Sequence, residues 1–274
     1  DLTLQDKVAD YVLGQPNFTS NDFGTAQNKL YNPHRMAYAS TTNYLYVTDY
    51  QNYRVLVYDV ATITNGEDAI YVLGQTDFTT RITGTSASTM NSPHGVAIDE
   101  AGNRLFVAEG SNYRVLVFDI STITNGESAV NVLGQTDFNT AIYGVTQTSV
   151  SNPTALYYEY NRNYLFIANG QRVTVYDMTT VTDGEPAIYV LGQSNYTSNG
   201  QSSGDARFFI GAASGITYDP VRQYMFVSNG NRVSVFDIST ITTGESAINV
   251  IGAPSFGGSS GDLGVSSSTV YFSY

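Results

Sequence analysis

The chain contains two histidines, His34 and His94, each preceded by a proline and separated by sixty positions. Imidazoles at equivalent places in two copies of one unit could converge on a single divalent metal. A catalytic zinc takes about three protein ligands and keeps one position open. Asp49 and Glu109 are spaced identically, and either carboxylate could complete a zinc or calcium site or act as a general base. The chemistry would then be that of a metal-assisted lyase or hydrolase. A structural reading fits the same residues. Each ring could hydrogen-bond a neighbouring element, and the acidic position continues as Asn169 and Asn229, which suits an acceptor for otherwise unpaired backbone N–H groups in the next turn. Arg54, Arg114, Arg172 and Arg232 could form an anion-binding ring. Each also lies five residues before Asp59, Asp119, Asp177 or Asp237 and close to the polar group just named, so pairing within the repeat is the reading adopted.

The elements that position these residues come from an internal repeat. Val-Leu-Gly-Gln recurs at Gly14-Gln15, Gly74-Gln75, Gly134-Gln135 and Gly192-Gln193 and decays to Gly252-Ala253, with spacings of 60, 60, 58 and 60. Each full period reads as four short strands, because Val, Ile, Tyr and Phe alternate or cluster in short runs. In the second unit strand a is Gly95 to Asp99, b is Arg104 to Glu109, c is Arg114 to Ile120 and d is Ala129 to Leu133. Gly102-Asn103, Gly110 to Asn112 and Asn125-Gly126 supply the turns. Four antiparallel strands per sixty residues without helices predict the radial sheets of a β-propeller. One sheet cannot cover both of its faces, so neighbouring blades must do so. The ring residue four positions after each repeated Gly (Phe18, Phe78, Phe138, Tyr196, Phe256) is expected to wedge between blades.

The segment Pro93 to Asp119, PHGVAIDEAGNRLFVAEGSNYRVLVFD, resembles an NHL repeat: Pro-x-Gly-Val-Ala-Val-Asp, Gly-Asn, then Asn-x-Arg-Val. The likeness extends over roughly 240 residues, although Arg35 and Ala155 stand where the pattern has Gly. It implies an all-β fold, a propeller commonly of six blades, in a single domain over residues 1–274. Four complete blades and parts of a fifth are expected, five- or six-bladed if closed. Ala9 to Leu13 reads as a lone strand d, Leu2 to Gln5 as a remnant of strand c, and Thr269 to Tyr274 as a terminal strand a. Three readings fit these fragments: a longer parent chain, an incomplete fifth blade made by the two ends, or strands supplied by a neighbouring subunit. In the wider propeller family, peptidyl-hydroxyglycine amidating lyase holds zinc through Pro-His at such positions. The resemblance therefore keeps zinc or calcium at His34, His94, Glu109 and Asp49 as the alternative to a chain without cofactor.

Composition bounds the function. With 24 acidic and 12 basic side chains the net charge is −12, unsuited to nucleic acid or anionic membranes. There is no cysteine, so disulfides, thiolate metal sites and cysteine nucleophiles are excluded. No apolar run is long enough to span a bilayer as a helix. Two sequons, Asn17-Phe18-Thr19 and Asn195-Tyr196-Thr197, permit glycosylation. The connections into strand a diverge between units, at Asn21 to Leu30, Arg81 to Met90, Ala141 to Val150 and Asn199 to Ile210, as a recognition surface would. The expected function is a non-catalytic binding or assembly module, extracellular or on the cell surface. Its partner would be a protein or glycan, or copies of itself in an oligomer or filament.

Overall fold

The computed structural model describes residues 8–200, 212–252 and 256. Among them are four antiparallel sheets of four strands, the blades of a β-propeller. Blade 1 comprises β1 (Pro33–Ala39), β2 (Tyr44–Asp49), β3 (Arg54–Asp59) and β4 (Tyr71–Leu73). Blade 2 comprises β5 (Pro93–Asp99), β6 (Arg104–Glu109), β7 (Arg114–Asp119) and β8 (Asn131–Leu133). In blade 3 the strands are β9 (Pro153–Glu159), β10 (Tyr164–Asn169), β11 (Arg172–Asp177) and β12 (Tyr189–Leu191). Blade 4 has β13 (Ala213–Asp219), β14 (Tyr224–Asn229), β15 (Arg232–Asp237) and β16 (Asn249–Ile251).

Strand order within each sheet follows the chain, and the first strands lie against one another as β1, β5, β9 and β13. The second and third strands pair without interruption, as from Arg104↔Asp119 to Glu109↔Arg114. The first strand begins two residues earlier than expected, at the proline, and the fourth has only three residues. Between third and fourth strands the chain turns away to meet the preceding blade, which shortens the ladder. Gly126 N donates to Val72 O (3.0 Å) and Val72 N donates to Asn125 Oδ1 (3.0 Å). Gly184 and Asp183 hold Val132 in the same way. At Gly126 φ is +72°, and an added Cβ would lie 3.1 Å from Thr76 Cα, so the turn needs glycine for backbone shape and close approach alike.

Between the blades the core is apolar and continuous. One cluster joins Val55, Val57 and Leu73 of blade 1 to Val96, Leu105 and Val107 of blade 2. The next joins Phe106, Val115 and Val117 to Tyr158, Leu165 and Ile167, with the Phe106 and Tyr158 rings stacked at 5.6 Å. A third joins blades 3 and 4 through Phe166, Val175, Val227 and Phe236. Phe78, Phe138, Tyr196 and Phe256 pack against these clusters, as the repeat requires. Phe18 does not. It is 53% exposed, because among the described residues no third strand precedes it to give it a sheet.

Ala9 to Leu13 forms no strand. Val12 nonetheless occupies a fourth-strand place: its N–H donates to Asn65 Oδ1 (2.9 Å) and its carbonyl accepts from Gly66 N (3.0 Å), as Val72 does one period later. Leu2 to Gln5 and Thr269 to Tyr274 lie outside the described residues.

Candidate functional site

Each first strand opens with an irregular step in its pairing, between Pro33 and Met36 and between Pro93 and Val96 in blades 1 and 2. Such a bulge re-aims the side chains it carries. Here it turns His34 and His94 toward each other, with Nδ1 to Nδ1 at 3.0 Å. At that distance one nitrogen donates its N–H and the other accepts, so the two rings cannot both be cationic. The Tyr50 ring stacks on His34 at 4.3 Å and meets His94 edge-on at 4.8 Å. Burial, and after it the nearby Arg35 guanidinium, pushes His34 below the usual imidazole value. For His94, burial, the first ring and Arg35 lower it to about 4. Thr48 Oγ1 fixes the backbone beneath, accepting from Arg35 N (2.9 Å) and donating to His94 O (2.9 Å).

Asp49 and Glu109 take no part in this pair. Both are fully buried under the adjoining turns. Asp49 accepts from Arg54 Nε (2.8 Å), Asn52 Nδ2 (2.8 Å) and Tyr31 N (2.6 Å). Glu109 accepts from Arg114 Nε, Asn112 Nδ2 (3.0 Å) and Asn91 N (2.6 Å). Among the described residues no group of three or more His, Asp or Glu side chains is placed to hold a metal. The histidines are thus brought together without either carboxylate. The backbone groups served by Asp49 and Glu109 lie in the incoming loop, at Tyr31 and Asn91, and not in the following turn.

The change from acid to amide around the ring follows the partners. Blades 1 and 2 have Leu56 and Leu116 in the third strand, and every neighbour of the acid is a donor. Blades 3 and 4 have Thr174 and Ser234 instead. There Asn169 Nδ2 donates to Thr174 Oγ1 and Asn229 Nδ2 donates to Ser234 Oγ, both at 2.8 Å. A carboxylate could accept from those hydroxyls but could not donate to Ile167 O and Val227 O, as Asn169 Nδ2 (3.0 Å) and Asn229 Nδ2 (3.3 Å) do.

The four arginines form no anion ring. Arg54 Nη1 donates to Thr25 O and Phe78 O, and Nη2 donates to Ala26 O and Lys29 O. Arg114 repeats this on Thr85, Phe138, Ser86 and Thr89. Asp59 and Asp119 are not their partners; those carboxylates cap the next turn through Ala61 N and Ser121 N. Arg54, Arg114 and Arg172 therefore bind the main chain of the loop entering their blade and of the loop leaving it, and Arg232 donates to Phe256 O of the leaving loop.

The repeated glutamine has a role that its sequence does not announce. Gln75 Oε1 accepts from Ile82 N (3.0 Å), while Nε2 donates to Ile82 O (2.8 Å) and Tyr53 O (3.0 Å). Gln135 does the same with Ile142 and Tyr113, and Gln15 grips Asp22. Glutamine and arginine together hold the three loops by backbone atoms alone, which frees the side chains to differ. Ile82 is 63% exposed, Ile142 68% and Tyr143 55%. They stand on the face that carries the histidine pair. Tyr143, Tyr113, Tyr50 and His94 line a cleft of about 450 Å³ there.

Both sequons fall on a repeated turn. Asn17 Oδ1 accepts from Thr19 N (3.0 Å) and Asn195 Oδ1 from Thr197 N (2.9 Å), as Asp77 does from Thr79 N (2.7 Å).

Blade 2 and the loop leading into it decide the comparison, because residues 90–118 match the family model of the NHL repeat. Blade 2 is thus similar to an NHL repeat. Human NHL repeat-containing protein 2 is 33% identical over 130 residues, a match that covers 44% of this chain and 17% of that one. The chain thus spans less than a fifth of that relative's length. Kuenenia stuttgartiensis hydrazine synthase shares the fold, with a TM-score of 0.53 at 11% identity, covering 85% of this chain and 51% of that one.

Proposed function

We propose that this NHL-repeat propeller is a non-catalytic binding module, extracellular or at the cell surface, whose protein partner docks on the loop face around the histidine pair. The observation that carries the reading is the glutamine clamp. A loop held at fixed backbone points presents exposed Ile82, Ile142 and Tyr143 with little conformational entropy left to lose on binding, which favours affinity. The adjoining aromatic cleft suits a buried anchor side chain. Scarce lysine and a net charge of −12 support the extracellular assignment. A glycan ligand or self-association would use the same exposed side chains.

The test begins with cross-linking on native cells and identification of the cross-linked partner, followed by affinity measurement on the purified pair. Ile142→Asp and Tyr143→Ala should each weaken binding at least tenfold. Val221→Asp, in the turn at the opposite end of blade 4, should leave it unchanged. Equal effects from both faces would refute the docking assignment. The metal-dependent reading retains one supporting observation, the juxtaposed imidazoles. Stoichiometric zinc in purified protein, lost in a His34→Ala/His94→Ala variant, would favour it instead.

A further inference from the structure

A second cavity, of about 740 Å³, opens at the axis end of the first strands and is bounded by Pro33, Arg35, His94, Asn152, Ala213 and Ser214 among others. The position after Pro-x reads Arg35, Gly95, Ala155 and Gly215 in successive blades, so one blade alone sends a long side chain to this place. Gly95 is excluded from that role by packing, since a Cβ there would already be 3.1 Å from Ala155 Cα of the next blade. Arg35 instead crosses the axis. Nη1 donates to His34 O (3.2 Å) and Nη2 donates to Ser214 O of β13 (3.0 Å), so the guanidinium is held from two blades by backbone oxygens.

What it lacks is an anion. Among the described residues no aspartate or glutamate lines the cavity, and none forms an ion pair with Arg35. This is notable in a chain with twice as many acids as bases. A fixed planar cation over apolar walls, with imidazole and Asn152 donors beside it, matches the two oxygens of a carboxylate better than a compact polyanion. The volume lies within the range of small-molecule sites.

We propose that the axial cavity binds a small organic carboxylate with an apolar body, its carboxylate paired to Arg35. The site shares His94 and Asn152 with the cleft of the loop-face reading but needs no protein partner, and Arg35 belongs to it alone.

The probes are benzoate, its neutral analogue benzamide, and inorganic phosphate, titrated into the 274-residue chain by calorimetry and by ¹H–¹⁵N spectra of the histidine rings. Benzoate should bind and shift the His94 ring signals, with affinity falling as salt is added. Benzamide and phosphate should bind at least tenfold more weakly. Arg35→Gln should cost at least tenfold in benzoate affinity and Arg35→Lys less, with circular dichroism unchanged in both. The proposal is overturned if benzoate fails to bind, if benzamide or phosphate binds as well, or if a folded Arg35→Gln protein binds benzoate like the parent.

Discussion

At the scale of single residues, the buried ion pairs carry the sharpest expectations. Arg114 and Glu109 are both fully buried, and Arg114 also serves four carbonyls. Removing the cation in Arg114→Met strands Glu109 in a medium that cannot solvate it. Urea unfolding should show a loss of about 3–5 kcal/mol, whereas a loss under 1 kcal/mol would mean that Glu109 is neutral in the fold. The histidine pair makes a prediction in pH. An unfolded imidazole protonates near 6.5, but folded His94 does so only near 4. Between these values the unfolded chain binds more protons, so this group's contribution to stability falls as pH drops. Burial lifts the Glu109 carboxyl to about 7, which gives the opposite slope. Melting temperature against pH should therefore be compared between parent and His94→Asn. The parent should lose ground relative to the variant from about pH 6.5 down to 4, and a flat difference would place His94 at its ordinary value. The two histidines were legible in the sequence through equal spacing and the shared proline. That Asp49 and Glu109 would accept backbone N–H groups was legible too, from the polar series ending the second strand, but not that those groups lie in the incoming loop, because a period fixes which residues are equivalent and leaves open which way each one faces.

Among the elements, the second and third strands were legible almost to the residue, since their alternation is unbroken and both faces are packed. The short fourth strand was overestimated, because Ala129 carries the apolar pattern of a strand while its N–H donates to Ala87 O (2.9 Å) of the preceding loop, leaving Val130 N to Val117 O (2.7 Å) as the last bond before the ladder. The glutamine clamp left no trace in side-chain identity at its receiving end, because it grips main-chain atoms of loops whose residues differ. Gln135→Ala should cost about 1 kcal/mol and accelerate hydrogen exchange at the Ile142 and Tyr143 amides, while β6 and β7 keep their protection. Unchanged exchange at Ile142 would contradict the clamp. Gly134 is more demanding. With φ at +87° and an added Cβ only 2.5 Å from Val150 Cγ2, Gly134→Ala should lower stability by more than the roughly 1 kcal/mol that unfavourable φ alone brings.

Over the whole molecule, stability resides in the contacts between blades as much as within them. Phe106 belongs to blade 2 but packs with Tyr158 and Leu165 of blade 3, so Phe106→Ala should remove about 3–5 kcal/mol and weaken both blades together. The outermost strands of the series are less covered. Met36 in β1 is 66% exposed and Ile251 in β16 is 48% exposed, where their counterparts Val96 and Leu191 are buried. In a chain of nearest-neighbour units, the terminal members open first. Amides of β1 and β16 should thus exchange before those of β6, β7 and β10, and one uniform rate would indicate that the four sheets open as a block. One more consequence belongs to the loops themselves. The first three run the same number of residues from glycine to proline and are fastened through atoms that every amino acid except proline possesses. Residues 81–89 could accordingly be transplanted into positions 141–149 as a cassette, giving a graftable display scaffold whose recognition can be rewritten while its frame stays in place.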